Sequence, residues 1–373
     1  MKKCTASLLC FIFLAGVADA VAQTTTPPKL FPIKQNEKWG YIDSTGKIVI
    51  APQFDYACPF TDGLALVVTD KKIGYIGYID EMGQLNIKPQ FWKVGIFSEG
   101  LAHIHVCGKS GFIDKKGRIT IYPKYLQVGA FSEGLAAVEY IELTERGETG
   151  ESKWGYINQE GEMVIPPQFD FADSFSDGMA RVGFGKFGEH SFGYIDKTGK
   201  VIIEHQFKLC RDFSEGLAPV EIGGQKRKGI HISGKWGYIN KSGTMVIEPQ
   251  FDQAFKFSEG LAAVIMNGKV GYIDKTGQLI IKPQFESISS EEGDQTFAEG
   301  FAAVKLNGKL GYIDRTGKIV ISPQYDIGFP FYGGLAQVAI GKYSSEMKGD
   351  IAIFGDKWGY VDKSGNIVWN PSK

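Results

Sequence analysis

The segment HIHVC, residues 103–107, sets His103, His105 and Cys107 at alternate positions with Ile104 and Val106 between them. A strand turns alternate side chains to one face, so the three would share a surface and offer borderline and soft donors to zinc or copper. The competing reading is three solvated surface side chains. The overlapping CGKSG (107–111) ends like a phosphate-binding loop, but His103 stands where that loop needs its first glycine, and the segment aligns with the plain turn NGKVG (267–271). Neither HExxH nor GxSxG occurs, and Asp170 and Asp173 form no recognisable acid and base pair. No catalytic residue and no cofactor are assigned.

A recurrent phrase positions these side chains. A strand LAAVIM (261–266) turns at Asn267 and Gly268 into KVGYID, which turns at Asp274 to Gly277 into QLIIKP. Asn-Gly is the two-residue hairpin signal, and Asp first with Gly fourth is a type I turn closed by a left-handed residue. The second pattern occurs nine times, beginning at Asp43, Asp80, Asp114, Asn158, Asp196, Asn240, Asp274, Asp314 and Asp362. Proline stops the third strand in eight copies, and His205 takes its place in the fifth. LFPIKQNEKWGYID (30–43) aligns with LAAVIMNGKVGYID (261–274), so Leu30 opens the first of nine three-stranded meanders. Each meander carries aromatic anchors, such as Phe251 and Phe257, that it cannot cover alone. Neighbours must therefore stack, as one domain over residues 30–373. The fold class expected is all-β, an open twisted solenoid-like array of nine units, with a closed propeller-like ring as the alternative.

KWGYIDSTGKIVIAPQFD, KWGYINQEGEMVIPPQFD and KWGYVDKSGNIVWNP, with FSEGLAAV between units, resemble the bacterial WG-repeat family over residues 30–373. The resemblance implies an all-β repeat protein, often exported, with no assigned catalytic activity and a role in interaction. This chain departs from the signature at the tryptophan, replaced by Ile76, Ser110, Phe192, Val270 and Leu310. Trp154, Trp236 and Trp358 follow the three longest first hairpins, so the indole is expected to cover a hairpin base, and Trp39 to cap the N-terminal edge.

Those long hairpins, EYIELTERGETGES (139–152), EIGGQKRKGIHIS (221–233) and AIGKYSSEMKGDIAIFGD (339–356), lengthen one and the same connection, so they leave the array along one edge. Units seven and eight make the connection with Asn and Gly alone. The loops carry Glu142, Glu145 and Glu148, then Lys226, Arg227 and Lys228, then Tyr343 and Lys348, a mixed surface suited to a protein partner. A second candidate surface is the variable face of the first strands, which carries His103, Arg181 and Gln337 and is expected to be exposed. Aromatic hairpins also fit a glycan or envelope polymer, the alternative ligand class.

With 43% hydrophobic residues, 13% aromatics and 48 glycines, the composition favours a large β core with many tight turns. A formal charge of −1 gives no basic surface for nucleic acid. Lys2 and Lys3, the apolar run from Leu8 to Ala18, and Ala18, Ala20 and Ala22 have the order of a secretory signal peptide, with cleavage after Ala22 and a linker over 23–29. No later apolar run is long enough to span a membrane. Export is expected, to the periplasm, cell surface or medium. Beyond the signal, Cys58, Cys107 and Cys210 are an odd number at unrelated spacings, so stability must come from packing rather than disulfides.

Overall fold

Alternating apolar residues and paired turn signals make each meander, and the computed structural model follows them unit by unit. It describes residues 30–370 apart from 144–148, 186–190, 228–229, 233, 290–292, 342–345, 349–350 and 354–357. The expected signal peptide and linker lie outside the described residues. Unit seven shows the pattern: Gln253–Ser258, Leu261–Met266, Lys269–Ile273 and Leu279–Phe285 form one antiparallel sheet in chain order. Its hairpin turn has φ of 50° at Asn267 and 73° at Gly268, the left-handed pair that matches strand twist. At the next turn the Asp274 carbonyl accepts the Gly277 N–H at 3.0 Å, and its Oδ1 accepts the N–H groups of Thr276 and Gln278. The same backbone turn closes all nine units.

The turn carboxylates give the fold an acid limit. The Thr45, Thr198, Thr276 and Thr316 hydroxyls, with backbone N–H groups, hold Asp43, Asp196, Asp274 and Asp314 below the usual carboxylate range. A carboxyl lowered in the folded state contributes stability above its unfolded pKa, near ~4, and loses it as pH falls through the folded value. The melting temperature is therefore expected to be flat from about pH 8 to 5 and to drop below about pH 4. Asp274→Asn should weaken that drop, since Asn158 and Asn240 already make the turn with a neutral oxygen. A melting temperature unchanged down to pH 2 would contradict it.

Stacking covers both faces of each sheet. Leu261, Ala263, Ile265, Tyr272 and Ile281 of unit seven pack on Ala302, Val304 and Ile313 of unit eight. Ala262, Val264 and Ile273, on the opposite face, pack on Tyr238 and Ile247 of unit six. The tyrosine of the GYI strand reaches into the next unit and donates its hydroxyl to a carbonyl there, as Tyr41 does to Cys58 at 2.7 Å and Tyr312 to Phe329 at 2.8 Å. Its ring meets the aromatic before the next SEG turn, with centroids 5.0 Å apart for Tyr238 and Phe257.

A second repeated contact runs through the SEG turns. Asp62, Glu99, Glu133, Asp177, Glu215, Glu259 and Glu299 all stand at φ of 52–55°, a costly conformation for a side chain with a Cβ. Each accepts the turn glycine N–H of the following unit, as Glu259 does from Gly300 at 2.9 Å and Glu299 from Gly334 at 3.0 Å. A cation two positions into the following unit's second turn often completes the bridge, as Lys363 does on Glu299 at 2.9 Å. Glu259→Ala should lose this bond and keep the backbone strain, at about 1.5–3 kcal/mol. Glu259→Gly relieves about 1–2 kcal/mol of strain and should lie between the two. Chemical denaturation would give the order wild type, Gly, Ala; a Gly variant below the Ala variant would mean that the carboxylate is not the reason for the conformation.

The expected tandem array of β-meanders is the architecture found. No sheet closes on itself, since the described hydrogen-bonded sheets hold two to four strands. The ends of the array nevertheless meet. Tyr360 of unit nine donates to the Pro32 carbonyl of unit one at 2.9 Å, and its ring lies 5.4 Å from Phe31. Phe31, Ile33 and Ile42 share one apolar cluster with Leu335 and Tyr360. Side-chain packing thus joins last unit to first, while the strands do not pair across the junction. The reason is geometric: Phe31 supplies to Tyr360 the ring that Phe257 supplies to Tyr238.

Candidate binding surface

The three long connections are built as β-hairpins on units four, six and nine. In unit four Ala136–Leu143 and Thr149–Ile157 extend the sheet itself. In units six and nine separate pairs form, Gln225–Arg227 with Ile230–Ile232 and Glu346–Lys348 with Ile351–Ile353. Glu142, Lys226, Arg227 and Lys348 lie on these strands; Glu145, Glu148, Lys228 and Tyr343 lie outside the described residues. All three hairpins replace the turn between first and second strand, so sequence register and structure put them at the same station of their units.

The bases in units four and six are tied by carboxylates that sequence reasoning did not single out. The Glu221 carboxylate accepts the Gly234 N–H at 2.9 Å, and Glu139 accepts the Ser152 hydroxyl at 2.6 Å. Trp236 and Trp154 stand directly across from Glu221 and Glu139, and Trp358 across from Ala339, at the hairpin bases. Trp236 is buried beneath the Arg211 guanidinium at 5.4 Å, and Trp358 stacks on Phe329 at 5.8 Å. The Trp39 ring meets Tyr56 of unit two edge-on at 5.7 Å.

The metal reading of residues 103–107 is not supported. Among the described residues no group of three His, Cys, Asp or Glu side chains is placed to hold a metal. Strand alternation ends one residue too early for the trio, because Cys107 occupies the hairpin turn at φ 49°. His103 and His105 do share a face. The His105 Nδ1 lies 3.1 Å from the Ser110 hydroxyl, and the His103 ring covers Gly95. Burial, with Lys93 and His105 nearby, pushes the His103 pKa down to about 4, so this imidazole is neutral at physiological pH.

The variable face is also not a free surface. Leu66, Ala137, Pro219, Ala263 and Ala303, the counterparts of His103, are buried, and Arg181 and Gln337 are half-buried. Arg181 bridges Asp173 and donates to the Cys210 carbonyl at 2.5 Å, between the rings of Phe171 and Phe192. Face-to-face stacking is the cause, since the next unit covers the side that a lone sheet would show to water.

These features define an all-β protein of stacked meanders with elaborated hairpins. The sequence matches the family described as WG containing repeat over residues 39–72, 76–103, 111–140, 154–186, 192–225, 236–269, 271–309 and 311–343. The chain belongs to the WG-repeat family. A search of curated proteins finds no match. Among solved structures it is similar to the tricorn protease, at 11% identity and a TM-score of 0.25, covering 92% of this chain and 44% of that one. It is also similar to the β-propeller domain of the Trilobed protease from Pyrococcus furiosus, at 10% identity and a TM-score of 0.39, covering 86% and 99%. An acylaminoacyl peptidase from Pyrococcus horikoshii shows 11% identity and a TM-score of 0.38, covering 78% and 58%. Likenesses this weak carry no argument about activity.

Proposed function

We propose that this chain is an exported, non-enzymatic scaffold that captures a protein partner along its hairpin edge. The observation that carries the reading is the elongation of one connection in units four, six and nine into β-hairpins, with carboxylate-anchored bases in units four and six. Units one, three, seven and eight fold with a two-residue turn there, and a longer closed loop costs conformational entropy that packing must offset. Acidic residues in the first hairpin and basic ones in the second fit a partner of mixed charge. The glycan alternative is weakened by burial: Tyr41, Tyr156, Tyr238 and Tyr272 are wholly inside and present no ring to a sugar. The leader-like residues 1–22 support export, and among the described residues no helix is long and apolar enough to cross a membrane.

Replacing 139–152, 221–233 and 339–356 each by an Asn-Gly turn is expected to leave the β-rich circular dichroism spectrum intact and to abolish partner capture. Pull-downs from the native envelope, compared by mass spectrometry between full chain and shortened variant, measure it. Equal capture by both would reject the hairpin edge as the binding surface.

A further inference from the structure

In four units an ion pair ties the second strand to the connector that follows the third. The lysine just before the WG position binds an aspartate 17 residues on: Lys38 on Asp55 at 2.7 Å, Lys235 on Asp252 and Lys309 on Asp326 at 2.6 Å each, and Lys153 on Asp170. In three of these the aspartate also caps the hairpin loop of the unit that it opens. Asp55 accepts the Lys71 N–H at 2.8 Å, and Asp170 and Asp326 accept the Gly185 and Gly341 N–H groups at 2.7 Å each.

Unit two replaces both members of the pair with rings, Tyr75 and Trp92, at the same spacing. Their centroids stand 4.4 Å apart. A Cβ on Gly74 would lie 3.3 Å from Cζ3 of Trp92, so the indole rests on the backbone of unit two's own hairpin loop. An exposed ion pair contributes little to stability, so its loss costs little, whereas rings left in water are unfavourable. Trp92 is 49% exposed, and Ile73, in the same loop, is 50% exposed. A single exposed apolar side chain is ordinary, but Ile73, Tyr75 and Trp92 gather at one hairpin foot as a patch.

The charge around the patch has one sign. Lys71 and Lys72 precede Ile73 and Lys93 follows Trp92, and all three lysines are exposed. Nearby carboxylates are engaged: Lys38 holds Asp55, and Asp70 accepts the Lys72 N–H at 2.8 Å. Among the described residues Lys72 and Lys93 make no ion pair. The neighbours of the two rings in the chain, Gly74, Ile76, Phe91 and Lys93, offer no side-chain acceptor for a sugar hydroxyl.

We propose that Tyr75 and Trp92 anchor a second docking surface, which takes an acidic peptide segment of a partner protein with leucine or an aromatic residue among its carboxylates. The apolar side chain lies on the exposed indole beside Ile73, and the carboxylates meet Lys71, Lys72 and Lys93. The surface belongs to units two and three and does not depend on the three long hairpins.

The probe is the synthetic peptide Glu-Glu-Leu-Phe-Glu-Glu, titrated into the full chain. At millimolar concentration or below it should bind saturably and move the indole proton–nitrogen resonance that is missing from Trp92→Phe. Ala in place of its Leu and Phe should weaken binding about 30-fold, the loss of an interface anchor, and Lys in place of its Glu residues should abolish it. Tyr75→Lys with Trp92→Asp installs in unit two the pair that Lys38 and Asp55 make in unit one. By calorimetry this variant should lose the peptide while its circular dichroism spectrum and melting temperature hold. Lys72→Glu with Lys93→Glu, at exposed positions, should weaken binding about tenfold. A chain with all three long hairpins shortened should bind the peptide as the full chain does, which separates this surface from the hairpin edge. The proposal fails if the resonance does not move, if binding survives Tyr75→Lys with Trp92→Asp, or if the charge-reversed variant binds as well as the wild type. A lower melting temperature for the ring-replaced variant, with normal binding by the charge-reversed one, would make the ring pair a structural brace instead. Movement of the Trp92 resonance by a neutral cello-oligosaccharide and not by the peptide, or on dilution of the chain alone, would overturn it too, because the occupant would then be a sugar or a second copy.

Discussion

Gly271→Ala is expected to destabilise the array by about 3 kcal/mol, the upper end for overpacking, because the clash is with backbone that cannot move aside. A Cβ on Gly271 would lie 2.7 Å from the Ile281 carbonyl oxygen, 2.8 Å from the Pro283 nitrogen and 3.0 Å from its Cα. The cause lies in the third strand. Val270 pairs with Phe285 and Tyr272 with Ile281, so Gly271 alone faces Lys282, Pro283 and Gln284. The surplus residues bulge across the glycine, and proline fits there because the bulge needs no ladder N–H. The same crossing occurs over Gly40, Gly77, Gly111, Gly155, Gly193, Gly237 and Gly311. Urea denaturation measures the loss, with Gly129→Ala as control: its nearest neighbour would stand at 3.6 Å, and its effect should stay within about 0.5 kcal/mol. Equal stability of the two variants would remove the bulge as the reason for the glycine.

Phe31→Ala should open the junction between the ends. Phe31 is 5% exposed and packs on Tyr360, and truncating such a ring costs about 3–5 kcal/mol. Tyr360→Phe removes only the bond to Pro32 and should cost about 1 kcal/mol. The SEG bridges that tie units two to nine in sequence are absent here: Gly333 stands where the acid would be in unit nine, and Ser44 where the cation would be in unit one. Hydrogen exchange should therefore rise in units one and nine of the Phe31 variant, while units four to six keep their protection. A uniform loss of protection would mean that the array opens as one cooperative body, and no change would mean that the ends do not support each other.

Local chemistry was legible in the chain because turns and strands are decided within a few residues. Asp-x-x-Gly or Asn-x-x-Gly placed the second turn of each meander, Asn-Gly the first turn of units seven and eight, and alignment of Leu30 with Leu261 placed the first unit; proline, expected to stop the third strand, instead lies inside it at the bulge, as Pro283 does in Leu279–Phe285. The match to a repeat family followed from the same offsets. The SEG carboxylates could have been found this way too, since an acid recurs before glycine with a cation waiting in the next unit's turn. Burial of the variable face could not. Alternation tells that His103, Arg181 and Gln337 share a side, yet whether water or another sheet lies there depends on how units stack. The metal trio failed for a related reason, as the hairpin turn claimed Cys107 before the strand could present it. Meeting of the ends is likewise a property of curvature summed over nine units, each step too small to read from any one of them. The amino-acid sequence by itself determined the meander, its turns and its repetition, because those rest on φ preferences and side-chain periodicity. Only the tertiary structure decided which faces are covered and that Tyr360 finds Phe31, because the first depends on how neighbouring units stack and the second on residues more than three hundred positions apart.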